Sequence, residues 1–318
     1  MKNKTSFCYL VKEELSLQEY SVEKKYSILS AFIKNNGTYK INGGEHSIVL
    51  KSKNPKIIKF IYQTINELFS TKCKIEMIKR NGKKSKTNYR VVIYEKIDEI
   101  LEKIKVDFLE NKLPQSLIAN SNMISGYFVG AFLACGSINS PKTSNYHLEF
   151  FFKNDNYSMW FNKLLSRCYR GTFTPKISNR REGHIVYLKK SQQIADLLIF
   201  MGAVESTMKF ENERLDRDFK NIGNRLDICD RANYRKTIKS SRKQIRQINF
   251  FKQNKLLEKI FSDVEIKGLE LRLEKEDYSY QELQELFNSK YDYTISKSWF
   301  NHLFRKLDET YERRKKLQ

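Results

Sequence analysis

A polar row near the end of the chain combines residue types that can read base edges in DNA. It lies on one side of a helical pattern over residues 298–307, and its members are Ser298, Asn301, His302 and Arg305. Asparagine and arginine can each make two hydrogen bonds to base edges in the major groove. Phe300, Phe304 and Leu307 should face inwards, with Leu303 at the edge. The row predicts a recognition helix, and a generic helical domain is the alternative.

Residues 231–255 form a second candidate site, because they contain nine Lys and Arg residues and no Asp or Glu. On a helix, five of these cations share one stripe: Arg231, Arg235, Lys239, Arg242 and Arg246. Ile238, Ile245 and Ile248 occupy another face, which makes the helix amphipathic. Such a helix can follow a phosphate backbone, lie on an anionic membrane or contact an acidic surface. The absence of acids argues against a merely solvated face, and we favour contacts with DNA phosphates.

Motifs for enzyme chemistry are missing from the sequence. Neither a phosphate-binding GxxxxGK[ST] loop nor a GxSxG nucleophile turn occurs. The five cysteines are scattered without a CxxC pair, and the four histidines have no metal-ligand spacing with them. We therefore expect no cofactor, no structural metal and cysteines that are reduced and partly buried.

The charge balance favours a polyanionic partner. Lys and Arg outnumber Asp and Glu by 59 to 37, which gives a net charge of +22, and 40% hydrophobic residues indicate a folded protein. Phosphate contacts with counterion release make nucleic acid the leading candidate, ahead of an anionic membrane. The start of the chain lacks a secretory signal, and its apolar run near residues 124–138 is too short to span a bilayer. We expect a cytoplasmic, nucleoid-associated protein that binds double-stranded DNA.

Three helical patterns at the end of the chain would position the polar row. They cover residues 264–274, 279–287 and 298–307. These lengths suit a helix-turn-helix. Ser279 and Glu282 have the spacing of a capping box, and Leu283, Leu286 and Phe287 should form the buried side of the middle helix.

The rest of the chain contains an internal repeat. Residues 29–37 (LSAFIKNNG) align with residues 128–136 (FVGAFLACG). Gly130 and Ala134 form a strip of small residues on which the partner helix can pack closely, and Gly136 can end its helix in a left-handed cap. The same order of strands, helix, hairpin and closing helix follows both copies, so each half has an αββαββα pattern.

Both repeats carry basic residues at the tip of a predicted hairpin. Lys83 and Lys84 lie in the first tip, and Arg180 and Arg181 lie in the second. Two sheets with positive loops on the same side suit a saddle over a duplex, although hairpin tips are also basic for solubility alone. The repetition favours a role in DNA binding.

The sequence becomes polar between Met208 and Asp227, with alternating charges and Gly223, so we place a domain boundary there. The predicted fold class is α+β, with a pseudo-twofold αββαββα repeat domain followed by an all-α helix-turn-helix domain. The predicted bounds are 1–215 for the repeat domain (repeats about 20–105 and 120–205), 216–230 for a linker, and 231–318 for the basic helix and helix-turn-helix.

Three segments of the chain resemble the WhiA family: GAFLACGSINSPKTSNYHLEF, NRLDICDRANYRKT and ISKSWFNHLFRKL. The family's fold is similar to a degenerate LAGLIDADG homing endonuclease tethered to a helix-turn-helix, in agreement with the repeat and the helices above. The resemblance implies a DNA-binding transcription regulator of cell division and chromosome segregation, and of sporulation in spore-forming relatives. Carried over by position, it adds three DNA-binding residues to the polar row, namely Ser296, Lys297 and Lys306.

A nuclease built on this scaffold would need an acid at the penultimate position of each repeated helix, to hold a divalent metal over the scissile phosphate. Those positions are Asn36 and Cys135. Magnesium prefers hard anionic oxygen ligands, and neither a neutral amide nor a thiol provides one. The chain is therefore expected to bind DNA without cutting it. An active endonuclease and a basic adaptor that binds protein or RNA partners remain the alternatives.

Overall fold

The structure is a computed structural model that describes residues 6–79, 87–108, 115–168 and 171–316. The chain divides into two compact units, Met1–Asp216 (unit 1) and Arg217–Gln318 (unit 2). Unit 1 begins with helix α1, Phe7–Leu17, which Ser6 caps through a hydrogen bond from the Tyr9 amide to its hydroxyl. Val11 and Leu15 of this helix are fully buried.

The first repeat of unit 1 wraps one antiparallel sheet with helices. Its elements are α2 Val22–Asn36, β1 Thr38–Asn42, β2 Glu45–Ser52, α3 Pro55–Phe69, β3 Cys73–Lys79, β4 Thr87–Ile93 and α4 Ile97–Lys103. The strand order is β1-β2-β4-β3. Ile48 and Leu50 of β2 lie opposite Ile93 and Val91 of β4, and all four are buried. This face of the sheet therefore belongs to the core.

The second repeat follows a short 3₁₀ helix, Gln115–Ile118, and has the same order of elements. They are α5 Ser121–Cys135, β5 Gly136–Ile138, β6 Leu148–Phe152, α6 Asp155–Arg167, β7 Lys176–Arg180, β8 Gly183–Leu188 and α7 Ser191–Met201. The strand order β5-β6-β8-β7 corresponds strand by strand to that of the first sheet. The predicted αββαββα repeat is confirmed.

Helices α2 and α5 pack backbone against backbone. A Cβ atom added to Gly130 would lie 2.1 Å from the carbonyl oxygen of Ile28, and one added to Gly126 would lie 2.8 Å from that of Lys24. No side chain fits at either position. The strip of small residues was predicted at Gly130 and Ala134, whereas the structure places the closest approach at Gly126 and Gly130. Ala134 lies one turn further along and lines a cleft.

Gly136 does not form the predicted left-handed cap. Its backbone is extended, with φ −76° and ψ 151°, and Gly37 at the end of α2 has nearly the same angles. Glycine occupies both positions because there is no room for a Cβ atom. An added Cβ would lie 2.3 Å from the Phe132 ring at Gly136 and 2.5 Å from the Ile33 carbonyl oxygen at Gly37.

The predicted linker, residues 216–230, is helical in the structure. It lies inside α8, Val204–Gln253, a continuous helix of 50 residues. The polar, alternating charges of this segment do not oppose helix formation, and Gly223 alone costs only about 1 kcal/mol in a helix interior. A break between elements needs stronger signals than polarity. The start of α8 is fixed by Glu14, whose carboxylate accepts hydrogen bonds from the backbone amides of Glu205 and Ser206.

Unit 2 is helical throughout its described residues, apart from the turns that join its helices. After the part of α8 that it contains come α9 Leu257–Ile260, α10 Asp263–Glu274, α11 Tyr280–Tyr291 and α12 Lys297–Lys315. Its core includes Phe251, Leu283, Phe287, Phe300 and Leu307, each no more than 2% exposed. The predicted capping box is confirmed, since Ser279 and Glu282 exchange the two expected hydrogen bonds. Among the described helices, none combines the length and the apolar character needed to cross a membrane.

The α2–α5 contact predicts opposite effects of two glycine-to-alanine substitutions. Gly130→Ala should lower the free energy of unfolding of unit 1 by about 1–3 kcal/mol, because the new methyl group must push two backbones apart. Gly223→Ala is the matched control, since a Cβ there meets no atom within 4 Å. It should leave stability unchanged or raise it by up to about 1 kcal/mol.

Urea unfolding followed by circular dichroism measures both variants. A Gly130→Ala protein as stable as the parent would contradict the close backbone contact.

Candidate nucleic-acid interface

The polar row of α12 is exposed along its whole length. Ser298, Asn301, His302 and Arg305 all face away from the core of unit 2. Within the row, Arg305 Nη2 lies 3.0 Å from His302 Nδ1, at hydrogen-bond distance. The Arg305 side chain is 67% exposed, and its Nε lies 4.0 Å from the Glu309 carboxylate, so its guanidinium remains open to an external acceptor.

The opposite face of α12 is held against α10 by a second glycine contact. A Cβ at Gly268 would lie 2.9 Å from Leu303 and 3.0 Å from the Trp299 ring. Leu303 is accordingly only 2% exposed, so its predicted position at the edge of the buried face is wrong. Because residue 268 is a glycine, Leu303 can pack against α10, a contact that the helical pattern of α12 alone does not indicate.

The turn before α12 is fixed by an asparagine. The side-chain amide of Asn288 donates to the Ile295 carbonyl and accepts from the Ile295 amide, both at 3.0 Å. Asp292 ends α11 in the left-handed region, with φ 53°. Together they set the direction in which α12 leaves the turn. The role of Asn288 is not visible in the sequence pattern, because its partner is a backbone group seven residues away.

A buried arginine fixes the preceding turn. Arg272 is fully buried, and its Nη1 donates to the carbonyl oxygen of Tyr278 at 2.6 Å and of Lys275 at 3.3 Å. The guanidinium also lies over the rings of Phe304 and Tyr280. Burial lowers the pKa of Arg272 to about 10, so the group stays charged at neutral pH. It thereby ties the end of α10 to both helices of the helix-turn-helix.

The cationic stripe of α8 is exposed as its spacing predicts. Its members are Arg231, Arg235, Lys239, Arg242 and Arg246. Along the described chain, an acidic partner within ion-pair distance is found for none of the five. Their charges are therefore available to an external anion.

The inner face of this part of α8 differs from the prediction. Ile248 is buried, but Ile238 and Ile245 are only half-buried. Polar contacts complete the face instead: Gln244 Nε2 donates to the Tyr280 hydroxyl and Gln247 Nε2 donates to Asp308, both at 2.6 Å. Hydrophobic periodicity could not detect these two glutamines as inward-facing.

A groove in unit 2 joins the stripe to the second half of α12. It has a volume of 540 Å³, and Lys239 and Arg246 line it together with Tyr311 and Glu312. Two further cations on the same walls, Lys236 and Lys243, were not assigned to the stripe. Lys243 is 2.6 Å from the Asp308 carboxylate, so part of its charge is already balanced.

The three residues added by family resemblance occupy different settings. Ser296 is the N-cap residue of α12, without a side-chain capping hydrogen bond, and Lys297 is the first residue of the helix; both are exposed. Lys306 forms an ion pair with Glu265 of α10 at 2.6 Å and is half-buried. Lys306 therefore contributes to the packing of α12 on α10, and a phosphate would have to compete with Glu265 for it.

The predicted DNA-binding residues of unit 1 also differ in their surroundings. Lys83 and Lys84 lie outside the described residues. Arg181 is exposed in the turn between β7 and β8, whereas Arg180 is 2.9 Å from the carboxylate of Glu149. That carboxylate also contacts His147 at 2.9 Å.

The two positions at which a nuclease would need acids are occupied by an asparagine and a cysteine, both engaged in local hydrogen bonds. The Asn36 amide pairs with the backbone of Lys51, accepting at 2.7 Å and donating at 3.0 Å. The Cys135 thiol lies 3.2 Å from the Ala131 carbonyl, and burial raises its pKa to about 12. Lys12 of α1 donates to the Leu133 carbonyl at 3.2 Å, beside the same helix end. Across the described residues, no cluster of three or more His, Cys, Asp or Glu side chains could hold a metal ion.

Three family models match the chain. The WhiA N-terminal LAGLIDADG-like domain covers residues 22–107, the WhiA LAGLIDADG-like domain covers residues 124–220, and the WhiA C-terminal HTH domain covers residues 224–311.

Relatives of this family match over nearly the full chain. A "Probable cell division protein WhiA" from Lacticaseibacillus casei (strain BL23) is 34% identical over 96% of this chain and 97% of its own length. The protein of the same name from Lacticaseibacillus paracasei is 33% identical over the same shares. The crystal structure of full-length WhiA from Thermatoga maritima shares the fold, with a TM-score of 0.57 at 21% identity over 95% of this chain and 96% of that one. The chain belongs to the WhiA family.

Proposed function

We propose that this chain is a regulator that binds duplex DNA and acts in cell division without cutting DNA. The observation that carries the proposal is the exposed polar row of α12, whose opposite face is anchored in the core of unit 2. An exposed row with asparagine and arginine on a rigid helix suits base readout in the major groove. The match to the WhiA C-terminal HTH domain supports the same role for these helices.

The division of labour within unit 2 follows from charge and geometry. The row, with Ser296 and Lys297 at the start of α12, supplies contacts to base edges. The cationic stripe of α8 supplies phosphate contacts, which add affinity without sequence preference. Arg181, Lys83 and Lys84 would add contacts to the DNA backbone from unit 1. Arg180 and Lys306 would do so only after release from Glu149 and Glu265.

The biological role rests on relatives named "Probable cell division protein WhiA". We propose that this chain likewise acts in cell division, through transcription and chromosome segregation, and that it works in the cytoplasm on the nucleoid. The absence of an acid at Asn36 and Cys135 supports binding without cleavage, since both side chains are engaged in local hydrogen bonds.

Substitutions in the row and in the stripe should have different effects on DNA binding. Arg305→Ala should reduce the preference for a selected duplex over a scrambled one by about 1–3 kcal/mol, because it removes a base contact. Arg242→Ala with Arg246→Ala should weaken both duplexes alike and lower the slope of log affinity against log salt by about 0.9 for each phosphate that the variant no longer neutralises. Fluorescence anisotropy over a salt series, with duplexes selected from a random pool, measures both quantities.

Lys259→Ala is the matched control, since Lys259 is an exposed cation of unit 2 outside both surfaces. If the row and stripe variants bind like this control, the proposal is wrong. Binding of RNA or protein in preference to both duplexes would favour the adaptor alternative.

The proposal also predicts that the protein does not nick DNA. Incubation with supercoiled plasmid and magnesium or manganese should leave the plasmid supercoiled, because the ends of α2 and α5 offer an amide, a thiol and the Lys12 ammonium instead of carboxylates. Metal-dependent nicking that disappears in a Glu149→Gln or Asp155→Asn variant would establish the endonuclease alternative.

A further inference from the structure

A cleft in unit 1 is lined by positive charge and hydrogen-bond donors, whereas the row and the stripe belong to unit 2. Its volume is 520 Å³. Its walls come from the start of α1, the junction between β2 and α3, and the last turn of α5. The lining residues that matter here are Ser6, Lys12, Lys51, Lys53 and Asn54.

Two helices begin at this cleft. Ser6 caps α1 and Asn54 caps α3, and both capping residues line the cleft. The helices have 11 and 15 residues, so each presents the partial positive charge of a helix N terminus. Backbone amides at such ends are common ligands for phosphate and other anions.

Asn54 provides the observation that points to a ligand. The residue is only 4% exposed, and its Oδ1 accepts a hydrogen bond from the Lys56 amide at 2.9 Å. Its Nδ2 is buried and finds no hydrogen-bond partner among the described residues. A buried donor without a partner is costly, and because Asn54 lines the cleft, an acceptor that it reached through a small adjustment of the cleft wall would satisfy it.

Lys12 adds a cation with unused donors. Its ammonium donates one hydrogen bond to the Leu133 carbonyl and lies 5.6 Å from the centre of the Phe132 ring. Burial lowers the pKa of Lys12, and an anion bound beside it would favour its charged form. Lys51 and Lys53 add cations at the rim. Among the described residues that line the cleft, none carries a carboxylate.

We propose that this cleft binds a phosphate group, carried either by a small phosphorylated molecule or by the backbone of the duplex. Two helix N termini, three ammonium groups and the orphan amide of Asn54 match a tetrahedral oxyanion with several acceptor oxygens. The volume falls within the range of small-molecule sites and exceeds what inorganic phosphate alone would fill, so a phosphomonoester with an organic part fits it best. The proposal does not depend on the DNA-binding role of unit 2.

Asn54→Asp is the sharpest test. Aspartate caps a helix as well as asparagine does, so α3 should be retained, while the Nδ2 donor becomes an anionic oxygen. Isothermal titration calorimetry with inorganic phosphate and with adenosine monophosphate should give saturable binding to the full-length protein. Asn54→Asp should weaken the binding of both probes by at least about tenfold, and Lys53→Ala should weaken it by roughly two- to fivefold.

Lys59→Ala is the control, because Lys59 is an exposed cation on the same helix outside the cleft. Circular dichroism verifies that each variant is folded. Binding of the free probes that is lost in Asn54→Asp and kept in Lys59→Ala supports a small-molecule site. If neither probe binds but Asn54→Asp weakens duplex binding more than Lys59→Ala does, the phosphate comes from DNA. If neither probe binds and duplex affinity is the same in both variants, the proposal is overturned.

Discussion

The backbone contact between α2 and α5 is the constraint on which unit 1 depends. Gly126 lies against Lys24 and Ser27, and Gly130 lies against Ile28 and Ala31, so the contacts advance in the same direction along both helices. The helices are therefore parallel, and their C-terminal ends lie beside each other. Each sheet begins immediately after one of those ends. The close approach that Gly126 and Gly130 allow therefore determines how the two four-stranded sheets are placed relative to each other.

The same contact determines what chemistry the helix ends can support. In a nuclease of this scaffold the adjoining ends would concentrate negative charge for divalent metal. Here Lys12 donates to the last turn of α5, where a cation is favoured by the helix dipole. In its protonated form, Lys12 would repel a divalent cation and attract an anion. The close packing of the two helices is thus combined with a lysine, and not a carboxylate, at the end of α5.

Most of the fold could be predicted from the sequence, because its elements are periodic and its repeat is long. Features set by contacts between distant residues could not be predicted in the same way. Leu303 is buried because Gly268 is small, and Asn288 acts through a backbone group across a turn. The end of α5 shows the same limit, since Gly136 meets the Phe132 ring and not a left-handed turn. In the sequence Gly223 indicates a domain linker, but it lies inside the exposed helix α8. A Cβ at this position would contact no neighbouring atom, so no contact requires a glycine there.

The candidate site shows why counting cations does not locate an interface. Arg180 is paired with Glu149, whose side chain is only 18% exposed, so a phosphate that took Arg180 would leave a largely buried carboxylate without this counter-charge. The same holds for Lys306, because the side chain of its partner Glu265 is only 19% exposed. The stripe from Arg231 to Arg246 faces no such competition. Electrostatic affinity should therefore concentrate on α8, while α12, held by its buried face, is left to discriminate between sequences.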